Sequence, residues 1–387
     1  MKQLKIPFLI VLSLSILVLA SCVPGGTQPA QGWSGVTFDE GLLYVGSMDS
    51  KVVAINPSTR NPEWSYVIPG PSRAMSCGQT SAPSAMYGTA TVDNDMVYIG
   101  LYDGEVLALN ATARSQGLPF PQKRDREWSY PETNESIGGI VGGLVINENA
   151  IYVTSSDGKV YSLDKGLGDL NWQSDVLGEK LWTTPLVREN AIYVSTFDGH
   201  IYSLATEDGS LLPWAFKVDV GFCSSLAIYE DILFVGAFDN NLYAIEIGGS
   251  KPLWTFSGGK WFWATPMVKD GVVYAGCLDS NVYAIDARTG QELWRFHAGS
   301  PIVSSPVLNG DLLVVASESG SIYVFDTNAG QSDGALSPVK TVSINALVRG
   351  SICVQGNMVY VRAQDNWLYA LDIDKGWVSW KLPLTTK

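Results

Sequence analysis

An internal repeat restricts the fold of this chain more than any other feature. Each copy places an Asp before alternating β-branched and aromatic residues, followed by a Gly-containing turn and then a Trp. In the sixth copy the pattern reads GCLDSNVYAIDARTGQELWRF over residues 276–296. The copies align on the Asp with successive spacings of 54, 54, 41, 41, 40, 40 and 46 residues. A period near 40 residues indicates a solenoid or a propeller rather than unrelated domains.

Two residue types hold fixed places in the repeat. The aligned turn residues are Asp49, Asp103, Asp157, Asp198, Asp239, Asp279, Ser319 and Asp365. The Trp follows at plus fifteen or sixteen in six copies and at plus 25 in the second, giving Trp64, Trp128, Trp172, Trp214, Trp254, Trp294 and Trp380. We interpret both sets as structural. The Asp can bond its own backbone in a tight turn, and the Trp can cover the neighbouring repeat.

Each copy predicts four short strands separated by Gly-containing turns. In the sixth copy we expect strands over 264–268, 272–277, 281–286 and 292–296. Eight such units predict an all-β, eight-bladed β-propeller of four-stranded antiparallel blades. A linear solenoid is the alternative, but its end repeats need polar caps. The first and last copies are as apolar as the others, which favours a closed ring.

The N-terminus predicts export. Lys2 and Lys5 precede an apolar run over 7–19, which is too short to span a bilayer. Leu19-Ala20-Ser21-Cys22 resembles the bacterial lipobox, so we expect a lipoprotein signal peptide over 1–21 and lipidation of Cys22. The alternative is an ordinary cleaved signal. Residues 22–31 are rich in Pro and Gly and predict a flexible tether, followed by the propeller over 32–387.

The charge of the chain argues against nucleic acid as a partner. The whole chain holds 25 Lys and Arg against 38 Asp and Glu, a net charge of −13. Removal of residues 1–21 takes away Lys2 and Lys5 and no acid, which leaves −15. Nucleic-acid binding requires basic patches. The same negative charge argues against binding directly to anionic lipid. We therefore expect the protein to associate with the membrane through the N-terminal lipid alone, in the bacterial cell envelope outside the cytoplasm.

The repeat at 283–294, YAIDARTGQELW, resembles that of the pyrroloquinoline-quinone-like β-propellers. That family includes the quinoprotein dehydrogenases and the propeller lipoprotein of the outer-membrane barrel-assembly machinery. The resemblance covers residues 32–384 and implies an eight-bladed propeller. It implies little about function, because one fold supports many functions.

No motif predicts an enzyme, a metal site or a cofactor. The two histidines, His200 and His297, lie in different repeats, and no zinc, nucleophile-elbow or phosphate-loop spacing occurs. The resemblance to quinoprotein dehydrogenases implies adjacent cysteines beside a quinone and a bound calcium. The cysteines here are never adjacent: Cys22, Cys77, Cys223, Cys277 and Cys353. Disulfide pairing among the last four stays open, with Cys77 the first candidate.

A second aromatic set predicts where a partner binds. The connection into each first strand should share one face with the Asp turns. Sixteen residues before each turn residue stand Trp33, Tyr87, Val141, Trp182, Cys223, Trp263, Val303 and Arg349. Trp261 and Phe262 lie beside them, and Arg349 could orient a carboxylate. These side chains either plug the central channel or form an aromatic funnel for a peptide or small ligand.

These observations favour a non-catalytic scaffold that binds envelope or exported proteins or peptides, and envelope protein assembly is one process in which such a scaffold would act. The alternatives are a propeller that senses a small ligand and, less favoured, a quinone-dependent dehydrogenase. The absence of catalytic motifs fits the scaffold.

Overall fold

The computed structural model describes residues 32, 34–69, 84–111, 122–123, 126–132, 137–329 and 336–385. The signal peptide, Cys22, the tether over 22–31, Trp33 and Cys77 lie outside the described residues. Every regular element within the described ranges is a β-strand. These ranges contain no helix that is long and apolar enough to cross a membrane.

The strands form eight antiparallel sheets, each built from four strands consecutive in space. This arrangement confirms the predicted all-β, eight-bladed propeller. First strands of neighbouring blades contact each other, as β1 (Val36–Asp39) does with β5 (Thr91–Asp93), so the first strand of each blade is innermost. The first sheet carries one addition, because β8 (Gln122–Lys123) pairs in parallel with the outer strand of blade 1.

The remaining strand bounds follow the repeat. Blade 1 is completed by β2 (Leu42–Gly46), β3 (Lys51–Asn56) and β4 (Asn61–Val67), and blade 2 by β6 (Met96–Gly100), β7 (Val106–Asn110) and β9 (Arg126–Tyr130). Blade 3 consists of β10 (Val145–Asn147), β11 (Ala150–Thr154), β12 (Val160–Asp164) and β13 (Leu170–Gln173). Blade 4 consists of β14 (Leu186–Arg188), β15 (Ala191–Ser195), β16 (His200–Ala205) and β17 (Leu211–Lys217). Blades 5 to 8 are β18 (Ala227–Tyr229), β19 (Ile232–Gly236), β20 (Asn241–Glu246) and β21 (Trp254–Ser257); β22 (Met267–Lys269), β23 (Val272–Gly276), β24 (Asn281–Asp286) and β25 (Glu292–His297); β26 (Val307–Asn309), β27 (Leu312–Ala316), β28 (Ser321–Asp326) and β29 (Lys340–Ser343); and β30 (Cys353–Gln355), β31 (Met358–Arg362), β32 (Trp367–Asp372) and β33 (Trp377–Pro383).

The predicted strands of the sixth copy agree with the observed ones to within one residue, except at the start of the inner strand. Strand β22 begins at Met267, three residues after the predicted start, and its ladder with β23 begins where Met267 pairs with Tyr274. The two residues before Met267 do not take part in this ladder. The amide of Thr265 donates to Ser305 Oγ in the next blade at 3.1 Å, and Pro266 has no N–H to donate.

The hydrophobic core consists of layers between neighbouring blades. One layer joins blade 1 to blade 2 through Val52, Trp64, Leu107 and others. Another joins the last blade to the first, where Leu368 and Tyr360 pack with Val36, Val45 and their neighbours. The ring is therefore closed, and the linear solenoid is excluded.

Among the described residues, no strand is shared between the first and last blades. Blade 1 takes its four antiparallel strands, β1–β4, from the beginning of the described chain, and blade 8 takes β30–β33 from its end. Besides the apolar layer, hydrogen bonds between described residues cross this joint. The amide of Val36 donates to Ser351 O at 3.2 Å, and the amide of Met48 donates to Asn366 Oδ1 at 3.0 Å.

Candidate functional site: the cavity-bearing face

The repeated tryptophans all lie on the fourth strands and link each blade to the next. In five blades the indole Nε1 donates to a carbonyl just after the third strand of the following blade. The pairs are Trp64 to Ala111 (2.9 Å), Trp128 to Lys165 (3.3 Å), Trp172 to Thr206 (3.1 Å), Trp214 to Gly249 (2.9 Å) and Trp254 to Ala287 (3.0 Å). Trp294 instead packs on Phe325 with ring centroids 5.6 Å apart, and Trp380 packs against the layer between blades 8 and 1.

Glycines in the turns after third strands sit directly on these indoles. Gly290 has φ +72°, and a Cβ built there would lie 2.7 Å from Trp254 Cδ2. Gly168 and Gly209 have the same relation to Trp128 and Trp172. A side chain at these positions would strain the left-handed backbone and also collide with the ring.

The repeated aspartates act as turn anchors. Asp103, Asp157, Asp239, Asp279 and Asp365 accept a hydrogen bond from the amide two residues on, as Asp279 does from Asn281 at 2.9 Å. Asp198 instead accepts from the Thr196 hydroxyl, and the amide of His200 donates to Thr196 Oγ1. In four blades a Tyr four residues on also donates its hydroxyl to the carboxylate, as Tyr283 does to Asp279 at 2.6 Å, whereas Tyr202, four residues after Asp198, stacks on His200. The same Tyr bond occurs at Asp157, Asp239 and Asp365. Blade 7 has Ser319 instead, and its tyrosine, Tyr323, donates to Ala298 O at 2.8 Å.

The turns between second and third strands share a face with the connections into the first strands. Backbone hydrogen bonds join them directly, such as Leu278 N to Trp261 O at 3.0 Å and Phe238 N to Gly221 O at 3.0 Å. We call this side of the ring the cavity-bearing face, because it surrounds the mouth of a central cavity.

The central cavity has a volume of about 340 Å³ and is lined by the predicted ring of residues. Every described member of that ring contributes: Tyr87, Val141, Trp182, Cys223, Trp263, Val303 and Arg349. Below them, hydroxyl side chains join neighbouring blades, since Gly143 N donates to Thr184 Oγ1 at 2.7 Å and Thr184 N donates to Ser225 Oγ at 2.9 Å. The ring thus borders open space instead of filling it.

Two ring members have defined polar surroundings. The indole Nε1 of Trp182 is buried and has no hydrogen-bond partner among the described residues, while Lys180 Nζ lies 5.3 Å above its ring. Arg349 Nε donates to Glu318 Oε1 at 2.8 Å. Arg349 therefore already pairs with a carboxylate of this chain.

The two neighbours of Trp263 point to different places. Phe262 is fully buried between blades 5 and 6, where it packs against Phe256 and Tyr283. A partner cannot reach it, so its proposed contact with a partner is corrected. Trp261 is 40% exposed and lies at the rim, where its ring meets Phe238 at 5.0 Å.

Four aromatic rings form a continuous arc on this face across blades 4 to 6. Trp182 meets Phe197 at 5.0 Å, Phe197 meets Phe238 at 5.3 Å, and Phe238 meets Trp261 at 5.0 Å, all edge to face. We call these four residues the aromatic arc. The sequence analysis missed Phe197 and Phe238, although each stands directly before a repeated Asp.

The cavity does not fit the quinone and calcium of the dehydrogenases. No Asp or Glu belongs to its lining among the described residues, whereas Ca²⁺ requires carboxylate and carbonyl oxygens. Cys223, Cys277 and Cys353 are separate thiols, not an adjacent pair. Among the described residues, no group of three His, Cys, Asp or Glu could hold a metal ion.

Comparison with known proteins gives a family and two structural neighbours. A family model described as outer membrane protein assembly factor BamB matches residues 24–137, 122–219, 212–337 and 278–386. The crystal structure of BamB from Moraxella catarrhalis has a TM-score of 0.62 and 17% identity, covering 85% of this chain and 91% of that chain. The computationally designed Ika8 protein has a TM-score of 0.68 and 17% identity, covering 89% and 98%. No curated protein matches in a sequence comparison. At this identity the two structures show the shared fold alone.

Proposed function

The chain belongs to the family of the outer membrane protein assembly factor BamB, and on that premise we propose that it is a non-catalytic scaffold of the bacterial cell envelope. Family membership also confirms the resemblance carried by the repeat at 283–294. In this proposal the protein is lipid-anchored through Cys22, faces away from the cytoplasm and holds an envelope or exported protein during assembly.

The observation that carries the proposal is the cavity-bearing face. It presents an aromatic arc and a cavity mouth rather than a set of reacting groups. Exposed aromatic clusters bordered by polar groups are typical of protein-binding surfaces, where Trp and Tyr contribute much of the binding energy.

Site-specific photocrosslinking in the protein's own cells tests this function. A photoreactive phenylalanine at position 261 should capture a defined envelope protein, which mass spectrometry then identifies. The matched control is position 377, since Trp377 is also exposed, at 57%, but lies on the outer strand β33. Equal capture from both positions, or none from 261, would refute binding through this face.

The anchor is tested separately. Cys22→Ser should release the protein from the membrane fraction of lysed cells, because acyl chains contribute about 0.8 kcal/mol per buried methylene. Membrane retention of the Cys22→Ser variant would show that lipidation at this residue does not hold the protein there.

A second candidate function, the binding of a small ligand in the cavity, is favoured by the unpaired indole N–H of Trp182. A buried donor without a partner costs about 1–3 kcal/mol, which an acceptor on a ligand would offset. Native mass spectrometry of protein purified from its own cells distinguishes the two, since a retained small molecule that is lost in Trp182→Phe supports this candidate.

A further inference from the structure

The aromatic arc alternates with carboxylates. Asp198 directly follows Phe197, and Asp239 directly follows Phe238. Asp239 is exposed and is held in place by the amide of Asn241 at 3.1 Å and the hydroxyl of Tyr243 at 2.7 Å. The arrangement thus places ring faces and oriented negative charges side by side on one surface.

The carboxylate of Asp198 is suited to remain charged. Partial burial raises the pKa of Asp198, but hydrogen bonds from Thr196 and His200 outweigh that effect, so its pKa lies below the ordinary 3.8. The carboxylate of Asp239 is exposed to solvent and also accepts a hydrogen bond from Asn241 Nδ2 at 2.8 Å. A cation at such a site is attracted by the charge of the carboxylate and by the quadrupole of the neighbouring aromatic ring.

One end of the arc already holds a cation of this chain. Lys180 Nζ lies 5.3 Å from the centre of the Trp182 ring. Among the described residues, no Lys or Arg lies over Phe197, Phe238 or Trp261 in the same way. These three rings therefore offer the same kind of contact to a cation from outside, on a chain whose net charge is −13.

We propose that Phe197, Phe238 and Trp261, with Asp198 and Asp239, bind arginine side chains of an extended basic segment in the partner protein. Arginine suits the site because its planar guanidinium stacks on a ring while its edge donates hydrogen bonds to a carboxylate. This inference rests on the proposed scaffold function, to which it adds the chemistry of the partner.

Calorimetric titration of the detergent-solubilised full chain tests the inference. The probe is an acetylated and amidated peptide of four Arg-Gly units, and the matched probe replaces each Arg with citrulline, which has nearly the same shape but no charge. Saturable binding of the arginine peptide, weaker at high salt, is expected, with little binding of the citrulline peptide. Equal binding of both peptides, or binding of neither, overturns the proposal.

Variants separate the arc from general attraction to an acidic protein. Trp261→Leu and Phe238→Leu keep an apolar side chain but remove the ring, and each should weaken the arginine peptide roughly two- to fivefold. Asp239→Asn should also weaken it. Trp377→Leu, with the same charge and an exposed Trp removed elsewhere, should leave affinity unchanged. If Trp261→Leu and Trp377→Leu bind equally well, the arc is not the site.

Failure here is distinguishable from failure of the scaffold function. A partner crosslinked specifically from position 261, together with no binding of the arginine peptide, keeps the scaffold and refutes arginine recognition. Absence of any crosslinked partner from 261 counts against the scaffold itself.

Discussion

The indole Nε1 of Trp64 donates a hydrogen bond to the carbonyl oxygen of Ala111 across 2.9 Å, from the outer strand of one blade to the next blade. Trp64 is 1% exposed, so the bond forms out of contact with water. Because the same link recurs around the ring, the repeated Trp joins separate sheets into one structure.

Truncation of Trp64 should therefore be costly. Trp64→Ala is expected to lower the free energy of unfolding by about 3–5 kcal/mol, because it leaves a cavity between blades 1 and 2. Trp64→Phe should cost about 1 kcal/mol or more, since it removes only the donor and part of the ring. Urea titration followed by circular dichroism measures both. The exposed Trp377→Ala is the control and should change stability by less than about 0.5 kcal/mol; similar losses at both positions would contradict the link.

Gly290 and Gly248 separate backbone strain from steric collision. Both have positive φ, +72° and +91°, but a Cβ at Gly290 would meet Trp254, whereas nothing lies within 4 Å of one at Gly248. Gly248→Ala should cost about 1–2 kcal/mol for the left-handed backbone. Gly290→Ala should cost an additional 1–3 kcal/mol, roughly the range for overpacking. Equal melting temperatures for the two variants would refute the close packing on Trp254.

The bond between Asp279 and Tyr283 should make part of the stability depend on pH. Burial raises the pKa of Asp279, but hydrogen bonds from Tyr283, Gly259 and Asn281 outweigh it and hold the pKa below its ordinary 3.8. A carboxyl with a depressed folded-state pKa adds stability above its unfolded pKa and loses it as pH falls through the folded one. The cost of Asp279→Asn, measured by urea unfolding, should thus be largest at neutral pH and shrink below about pH 4.

Tyr323 supplies the internal control for this effect. Its hydroxyl donates to a backbone carbonyl, Ala298 O, instead of a carboxylate. The cost of Tyr323→Phe should therefore not change as pH falls, whereas the cost of Tyr283→Phe should decrease. Identical pH profiles for the two variants would show that the carboxylate contributes nothing special.

Arg362 is expected to destabilise the joint between blades 8 and 1. It is 3% exposed, its Nε and Nη1 have no partner among the described residues, and burial lowers its pKa to about 10. Replacement of a poorly paired buried charge by an apolar side chain is often neutral or stabilising. Arg362→Met should raise the melting temperature, while Arg349→Met, which removes an exposed ion pair with Glu318, should change it little. A lower melting temperature for Arg362→Met would disprove this.

The described cysteines should be unreactive in the folded protein. Burial raises the pKa of Cys223 and Cys277 to about 12 and that of Cys353 to about 11. Since the thiolate is the nucleophile, iodoacetamide at about pH 8 should label none of the three until urea is added. Mass spectrometry of the peptides measures the labelled fraction of each cysteine. Labelling of Cys223 in the native protein would contradict the prediction and show that the cavity admits the reagent.

The blade number and the cavity ring followed from aligning one repeated turn, because residues at the same offset occupy the same place in every blade. The burial of Phe262 could not be predicted in this way, because Phe262 lies in a connection without the strict alternation of a strand. The glycine that ends β19 indicates it, because a Cβ at Gly236 would lie 2.7 Å from Phe262 Cβ and would leave no room for the ring. Likewise, a Cβ at Gly100 would lie 2.5 Å from Ile140 Cγ2.

The aromatic arc was harder to predict, for a different reason. Phe197 and Phe238 become neighbours only because their turns lie side by side in adjacent blades, with the two ring centroids 5.3 Å apart. That proximity depends on the spacing between blades, which no single repeat encodes. A comparison of residues standing directly before the repeated Asp would have identified the pair.

Within the described ranges, blades 8 and 1 share no strand, which gives the ring a preferred place to open at their joint. Every other pair of neighbours is joined by the polypeptide itself, whereas this pair depends on the packing of side chains such as Leu368 on Val45 and on a few hydrogen bonds. A transient gap here would turn the annulus into a curved row of sheets with seven interfaces still intact. Unfolding would then proceed inward from the two chain ends, and the apolar faces of blades 1 and 8 that pack at this joint would be the first to be exposed to chaperones or proteases.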